Sequence, residues 1–253
     1  PLAHLASVLI GEGEAFFQGK RMTGDVALKL AGLKPIKLAP KEGLSLINGT
    51  QQMTALGALT LLRAEETMDL ADLICSASLD GVLGTAKAFT DWVQQTRPFP
   101  GQIKTAKLLR SFMEGSEISQ SHVDCDRVQD PYSFRCVPQV HGGVRELLVF
   151  VRHMLSIELN AATDNPLVNA ETGELISNGN FHGQPIAFAL DILGMAVSEL
   201  ASISERRMAK LIDPTFSGLP TFLVKNEGLN SGFMMAQVTA ASLVSENKLL
   251  SHP

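Results

Sequence analysis

The 253-residue sequence predicts an all-α fold, a bundle of long helices with ordered polar loops and small hairpins. Three observations lead there. Apolar residues recur at spacings of three and four over several long stretches, the mark of helices with one buried face. Strand-like character is confined to two short pieces around Gly or Asn turns, neither long enough to found a sheet. Asn, Gln and Gly gather between the helical stretches, where loops need neutral donors and close backbone approach.

In chain order, a short helix is expected over Leu2 to Ile10, followed by a hairpin in "GEGEAFFQGKRMTG" and a second short helix over Asp25 to Ala31. The segment "QMTALGALTLLRAEETMDLADLICSASL" is almost free of Gly and Pro and apolar on more than one face. Such a helix is buried inside a bundle or an oligomer. Shorter helices follow at Thr85 to Gln94 and Gln102 to Glu114, then a long one in "GGVRELLVFVRHMLSIELNAATDNP", stopped by Asn165-Pro166. "NPLVNAETGELISNGNFHG" reads as a second hairpin turning at Thr172-Gly173. From Ile186 to Leu211 the apolar positions Ile186, Leu190, Leu193, Val197, Leu200 and Ile203 define one face. Ser202, Glu205, Arg206, Arg207 and Lys210 occupy much of the other side, and Asp213-Pro214 supplies the stop. "GFMMAQVTAASLVSENKLL" gives the last long helix. Residues 1–253 are read as one mainly helical portion, without repeats or low-complexity tracts.

Composition narrows the function. With 45% hydrophobic residues the chain can bury a large core. Its 21 basic and 26 acidic residues give a net charge of −5 with no basic stripe, which argues against nucleic acid as a partner. Apolar runs such as "HMLSIEL" and "IAFALDILGMAV" meet a charge before the roughly 20 residues a bilayer span needs, so no membrane role is expected. The opening "PLAHLASVLIGEGEAFF" has no basic leader and begins abruptly, as if cut from something longer. Cys75, Cys125 and Cys136 are odd in number and lack CxxC spacing, which speaks against a disulfide framework or zinc and fits a reducing cytoplasm. The six histidines form no HxxxH or HxH pair, so no metal is expected.

Four polar loops carry the unusual chemistry: "KEGLSLINGTQQ", "HVDCDRVQDPYSFRC", "ATDNPLVN…SNGNFHGQP" and "NEGLNSGFMM". Taken singly, each has an ordinary explanation. Asn48-Gly49 is common turn chemistry, and Asn165-Pro166 ends a helix. Arg135 could pair with Asp124, Asp126 or Asp130, Phe181 and Met234 could be core, His182 a satisfied loop histidine, and Tyr132, the only tyrosine, an anchor beside Pro131.

In order and at compatible spacing, however, "PLAHLASVLIGEGEAFFQGK", "KEGLSLINGTQ", "DRVQDPYSFRCVPQVHG", "TDNPL", "GNFHGQP" and "GLNSGFMMAQVTAASLVSENK" resemble the histidine ammonia-lyases, within the wider aromatic amino acid ammonia-lyases. The resemblance covers essentially the whole chain. It implies the helical architecture shared with fumarase and aspartase, although the Gly-Ser-Ser-x-Met-Pro-type loop of that group is not in this sequence. It also implies elimination of ammonia from L-histidine to give trans-urocanate, using a methylidene-imidazolone electrophile formed autocatalytically from Ala-Ser-Gly. The β-proton is scarcely acidic and ammonium leaves poorly, so base, electrophile and charge-stabilising groups must act together.

By this resemblance Asn48 lies beside the electrophile, and Gln129 and Tyr132 line the same pocket, Tyr132 as a proton-transfer group or a donor to the developing anion. Arg135 holds the substrate carboxylate, which suits a planar, permanently charged fork, and Asn165 supports that grip. Phe181 packs against cofactor and substrate. His182, where phenylalanine enzymes tend to have Gln, and Met234, where they tend to have Lys, favour histidine as substrate. The alternatives are phenylalanine or tyrosine as substrate, or a non-catalytic helical oligomerisation module. The family sets Ala-Ser-Gly just ahead of "PLAH", so the sequence reads as the central portion of a longer enzyme. An upstream tyrosine loop, an upstream pocket histidine and a downstream acidic residue would lie outside it. The family also implies a homotetramer with sites shared between subunits.

Overall fold

The structure is a computed structural model that describes residues 2–124 and 127–252. Cys125, one of the three expected free thiols, and Asp126, one of the possible partners of Arg135, lie outside the described residues. Twelve α-helices, two 3-10 turns and two small antiparallel hairpins are assigned among them. The chain divides into two compact units. The first comprises residues 1–59 and 154–188, the second residues 60–153 and 189–253.

The first unit contains α1 (Leu2–Leu9), the hairpin β1 (Glu14–Phe17) and β2 (Lys20–Thr23), α2 (Gly24–Leu30) and α3 (Glu42–Ile47). It also holds the second hairpin, β3 (Leu167–Val168) with β4 (Leu175–Ile176). The first hairpin pairs Glu14 with Thr23 and Phe17 with Lys20. The second turns through Gly173 at φ +72, a left-handed backbone that favours glycine, with the Gly173 N–H donating to the Asn169 carbonyl at 2.9 Å. Both hairpins fall where Gly and Asn placed them.

α4 (Gln51–Gly81) begins in the first unit and continues into the second, where α5 (Asp91–Gln95), α6 (Pro100–Met113), α7 (Glu117–Gln120) and α8 (Tyr132–Arg135) follow. α9 (Val137–Glu158) and α10 (Gln184–Leu211) also contribute residues to both units, and α11 (Pro214–Ser217) and α12 (Met234–Leu250) complete the second. The core of the second unit joins Cys75 and Leu79 from α4, Ala106, Leu109 and Met113 from α6, Val137 from α9 and Ile203 from α10. Phe134 of α8 is 1% exposed in that cluster.

Several elements differ from the sequence reading. α9 starts at Val137 rather than Gly142, because Pro138 sits in the first turn, where a missing N–H costs nothing. The expected helix over Thr85 to Gln94 splits into a 3-10 turn, Ala86–Phe89, and α5, since Thr90 between them has extended backbone (φ −55, ψ 139). The stretch "QDPYSFRC" is not wholly loop: Tyr132–Arg135 form one helical turn after Pro131. On α10 the polar side is not all solvated, for Glu205 and Arg207 are buried while Arg206 is exposed. By length and composition alone α10 is long enough to cross a membrane, although Asp191 and Glu199 interrupt its apolar run; its apolar face supplies core residues, and its buried Glu205 and Arg207 are hydrogen-bonded within the protein.

Candidate active site

In the second unit, Gln129, Tyr132 and Arg135 line one cavity of about 790 Å³, together with Glu199, Arg206 and Lys210 of α10. The approach to α8 is tightly held. Buried Asp130 accepts from the Thr85 backbone N–H at 2.8 Å and from Arg127 Nη1 at 3.2 Å. Arg127 also donates to the Val82 carbonyl at 2.9 Å. Asp130 is thereby engaged elsewhere, and Arg135 makes no ion pair among the described residues.

A single helical turn then divides its four side chains. Ser133 and Phe134 go inward, while Tyr132 is 72% exposed. The Arg135 guanidinium lies over the Tyr132 ring, 4.6 Å from its centroid, in a cation–π stack. Its Nε is buried, and none of the described residues gives it a hydrogen-bond acceptor, which is costly for an N–H donor. A carboxylate is the acceptor a guanidinium fork fits best.

Asn48, Asn165, Phe181 and His182 fall in the first unit. Asn48 caps α3, its N–H donating to the Leu44 carbonyl at 2.9 Å, and its half-buried carboxamide has no partner among the described residues. Gly49 follows because a Cβ there would stand 2.7 Å from the Thr163 carbonyl oxygen. The two loops are clasped at Asp164. One carboxylate oxygen takes Lys41 Nζ at 2.5 Å and Ser45 Oγ at 2.7 Å, and the other accepts the Asn165 N–H at 2.7 Å. The Lys41 contact foremost holds the Asp164 carboxyl below its ordinary pKa. The Asn165 side-chain Oδ1 accepts from the Asn178 N–H at 2.8 Å, and its NH₂ donates to none of the described residues.

Phe181 and His182 are both exposed. His182 Nδ1 accepts the Gln184 N–H at 3.2 Å at the start of α10, so the neutral ring carries its proton on Nε2. It lines a cavity of about 340 Å³ with Glu158, Thr163 and Asn180. Met234 opens α12 in the second unit and does not line the cavity of Tyr132. Three of the eight residues named from sequence thus share one cavity. The other five are not among its lining residues.

Sequence reading missed a buried polar chain behind α8. The Arg207 Nε–H donates to the Ser133 carbonyl at 3.1 Å, and Nη2 faces His141 Nε2 at 3.5 Å. His141 Nδ1 lies 2.6 Å from Asp72 Oδ1, and Arg145 Nη2 donates to Asp72 Oδ2 at 2.6 Å. Burial holds His141 below its ordinary pKa, against the opposing pull of Asp72, so the ring is neutral and Nδ1–H donates to the carboxylate. Arg207 hid behind its neighbour Arg206. Only its inward direction separates the two.

No group of three or more His, Cys, Asp or Glu that could hold a metal occurs among the described residues.

Comparison with known proteins bears on all of this. The family model for aromatic amino acid lyases matches residues 1–253. A histidine ammonia-lyase of Myxococcus xanthus is 56% identical over 253 residues, which are 100% of this chain and 50% of that protein. The crystal structure of histidine ammonia-lyase from Trypanosoma cruzi superposes with a TM-score of 0.89 at 45% identity, covering 100% of this chain and 48% of the other. Phenylalanine ammonia-lyase from Rhodosporidium toruloides gives a TM-score of 0.90 at 27% identity, with 100% and 40% covered. This chain spans about half the length of the curated relatives it matches. A match along its full length, with the same helical fold, establishes that the chain belongs to the aromatic amino acid lyase family.

Proposed function

We propose that this chain works within a histidine ammonia-lyase, removing ammonia from L-histidine to leave trans-urocanate. One observation carries the reading: a phenol and a guanidinium stacked together at one cavity, the guanidinium free of any ion pair among the described residues. The higher identity to histidine enzymes, 45% and 56% against 27% for a phenylalanine enzyme, supports histidine as substrate.

In this reading Arg135 grips the substrate carboxylate, aided by the free NH₂ of Asn165. Tyr132 moves a proton or donates to developing charge at the reacting carbons, with the Gln129 carboxamide on the same wall. The methylidene-imidazolone of this family, formed from an upstream Ala-Ser-Gly, would supply the electrophile for loss of the amino group. Asn48 would help to hold it, since its carboxamide has no partner among the described residues. Phe181 would pack against that group, and His182 and Met234 would bear on the imidazole end of the substrate.

Exposed apolar residues on α4 (Leu59, Leu62, Leu70, Leu73) and on α12 (Val238, Leu243) support a homotetramer whose subunits share sites. A cytoplasmic location is supported by the free thiol of buried Cys75. The test is urocanate formation by the full-length protein, compared with cinnamate from phenylalanine and coumarate from tyrosine. Urocanate should dominate. A preference for cinnamate or coumarate would move the protein to the phenylalanine or tyrosine enzymes, and no product from any of the three would favour a scaffold.

A further inference from the structure

A four-residue turn cannot hold its own direction, since isolated helical turns are unstable in water. Yet Tyr132 and Arg135 must point the same way in every molecule to act on one substrate. Two contacts fasten the turn between them: Phe134 enters the core, and the Ser133 carbonyl accepts the Arg207 Nε–H at 3.1 Å.

The Arg207 contact costs much to build. Arg207 is 2% exposed, and a guanidinium taken out of water needs both countercharge and hydrogen-bond partners. The chain supplies them in series. Arg207 faces the lone pair of His141 Nε2, His141 donates through Nδ1 to Asp72, and Asp72 is held on its other oxygen by Arg145. Arg145 is itself fixed by Thr105 Oγ1 at 3.2 Å and by Asp69 at 2.9 Å. His141 and Asp72 are fully buried, and none of the four side chains lines the cavity of Tyr132. Apolar residues of equal volume commonly do as well or better for stability at such positions, so stability alone does not account for the arrangement.

We propose that Arg207, backed by His141 and Asp72, is a positioning residue that aims Tyr132 and Arg135 by holding the Ser133 carbonyl between them, on the reading of Tyr132 and Arg135 as substrate-facing groups. Arg207 touches no substrate. It acts through α8.

The test is a double-mutant cycle in the full-length protein, with Arg207→Lys, Tyr132→Phe and both together, read as kcat and KM for histidine. Lysine keeps the positive charge but loses the planar fork that reaches Ser133 and His141 at once. The expected result for Arg207→Lys is a kcat drop of roughly tenfold or more, with a raised KM as the Arg135 grip loosens, and a kcat drop below about twofold on adding it to Tyr132→Phe. Amide exchange at Phe134 to Cys136 should quicken in Arg207→Lys by mass spectrometry, while exchange in α4 stays as in wild type. Wild-type kcat in Arg207→Lys, or equal fold losses in both backgrounds, would overturn the proposal. Wild-type kcat in Tyr132→Phe alone is a different result, overturning the role given to Tyr132 and the proposal with it. If Arg207→Lys does not fold, His141→Gln takes its place, since an amide can still accept from Arg207 and donate to Asp72. It should give a smaller kcat loss with the same coupling to Tyr132, and equal losses in both backgrounds would again overturn the proposal.

Discussion

Arg135 carries the sharpest consequence among single residues. Asp130 is committed to Thr85 and Arg127, so replacing Arg135 breaks no ion pair among the described residues. Arg135→Lys should keep thermal stability within about 1 kcal/mol of wild type, as expected where no structural pair is lost, yet weaken histidine binding because the fork is gone. Arg135→Ala should cost on the order of 2–5 kcal/mol in kcat/KM, the scale for stripping one partner from a desolvated charge pair. Histidinol, which lacks the carboxylate, is the control. Its weak binding should hardly change in Arg135→Ala, and equal losses for histidine and histidinol would show that Arg135 does not read the carboxylate.

His141 makes a prediction in pH. Its folded pKa lies below the ordinary value of 6.5 because burial disfavours the imidazolium, with Arg207 and Arg145 adding to that and Asp72 opposing it. Above about 6.5 the ring is neutral in both folded and unfolded chains and contributes no pH dependence. As pH falls below that, the unfolded chain binds a proton that the folded chain refuses, so stability drops toward acid. His141→Gln should flatten this slope, seen as a smaller loss of Tm between about pH 7 and about pH 5.5. An unchanged slope would mean that His141 binds its proton equally well in the folded and unfolded protein, and that burial does not depress its pKa. Tyr132, Arg135 and Asn48 were named only through the resemblance that their loop motifs carry together, and of the three the structure puts Tyr132 and Arg135 on one cavity. Asp72, His141 and Arg207 were not legible, because a charge in a helical pattern reads as solvated face until its direction is known.

α10 was legible because burial of one face imposes a period on the sequence, and α4 because its long apolar run is almost free of Gly and Pro; α4, α10 and α12 begin within a few residues of their expected starts. Short elements such as α3, α7 and α8 were not, since a single turn has no period to display. Close packing between helices was equally silent. α6 and α9 cross where a Cβ on Gly142 would stand 2.5 Å from both the N and Cα of Gln102, so backbone meets backbone there. Gly142→Ala should therefore destabilise by at least about 1–3 kcal/mol, the cost of overpacking with no side chain free to yield. Its neighbour Gly143 has open space around it. Gly143→Ala should be neutral or stabilising by up to about 1 kcal/mol, as for alanine in an exposed helix. Denaturant unfolding of the pair decides, and equal effects would rule out the tight crossing.

At the scale of the molecule, apolar residues left exposed on long helices call for a partner. Leu73→Glu on α4, at a position 48% exposed, should leave helix content unchanged but shift the assembly to smaller species, measured by light scattering. Activity should fall with it if sites are shared between subunits. The course of the chain carries a further consequence, for synthesis. The first unit is built from residues 1–59 and 154–188, with most of the second made in between. Its opening residues must therefore wait while 94 more (153 − 59) are translated before their partners begin to appear. At roughly 5–20 residues per second that is about 5–20 s, far longer than helices take to form. Throughout that interval Lys41 and Ser45 have no Asp164 to grip, and the Asn48 loop emerges from the ribosome unclasped. The nascent first unit is therefore open to chaperones until its second segment emerges.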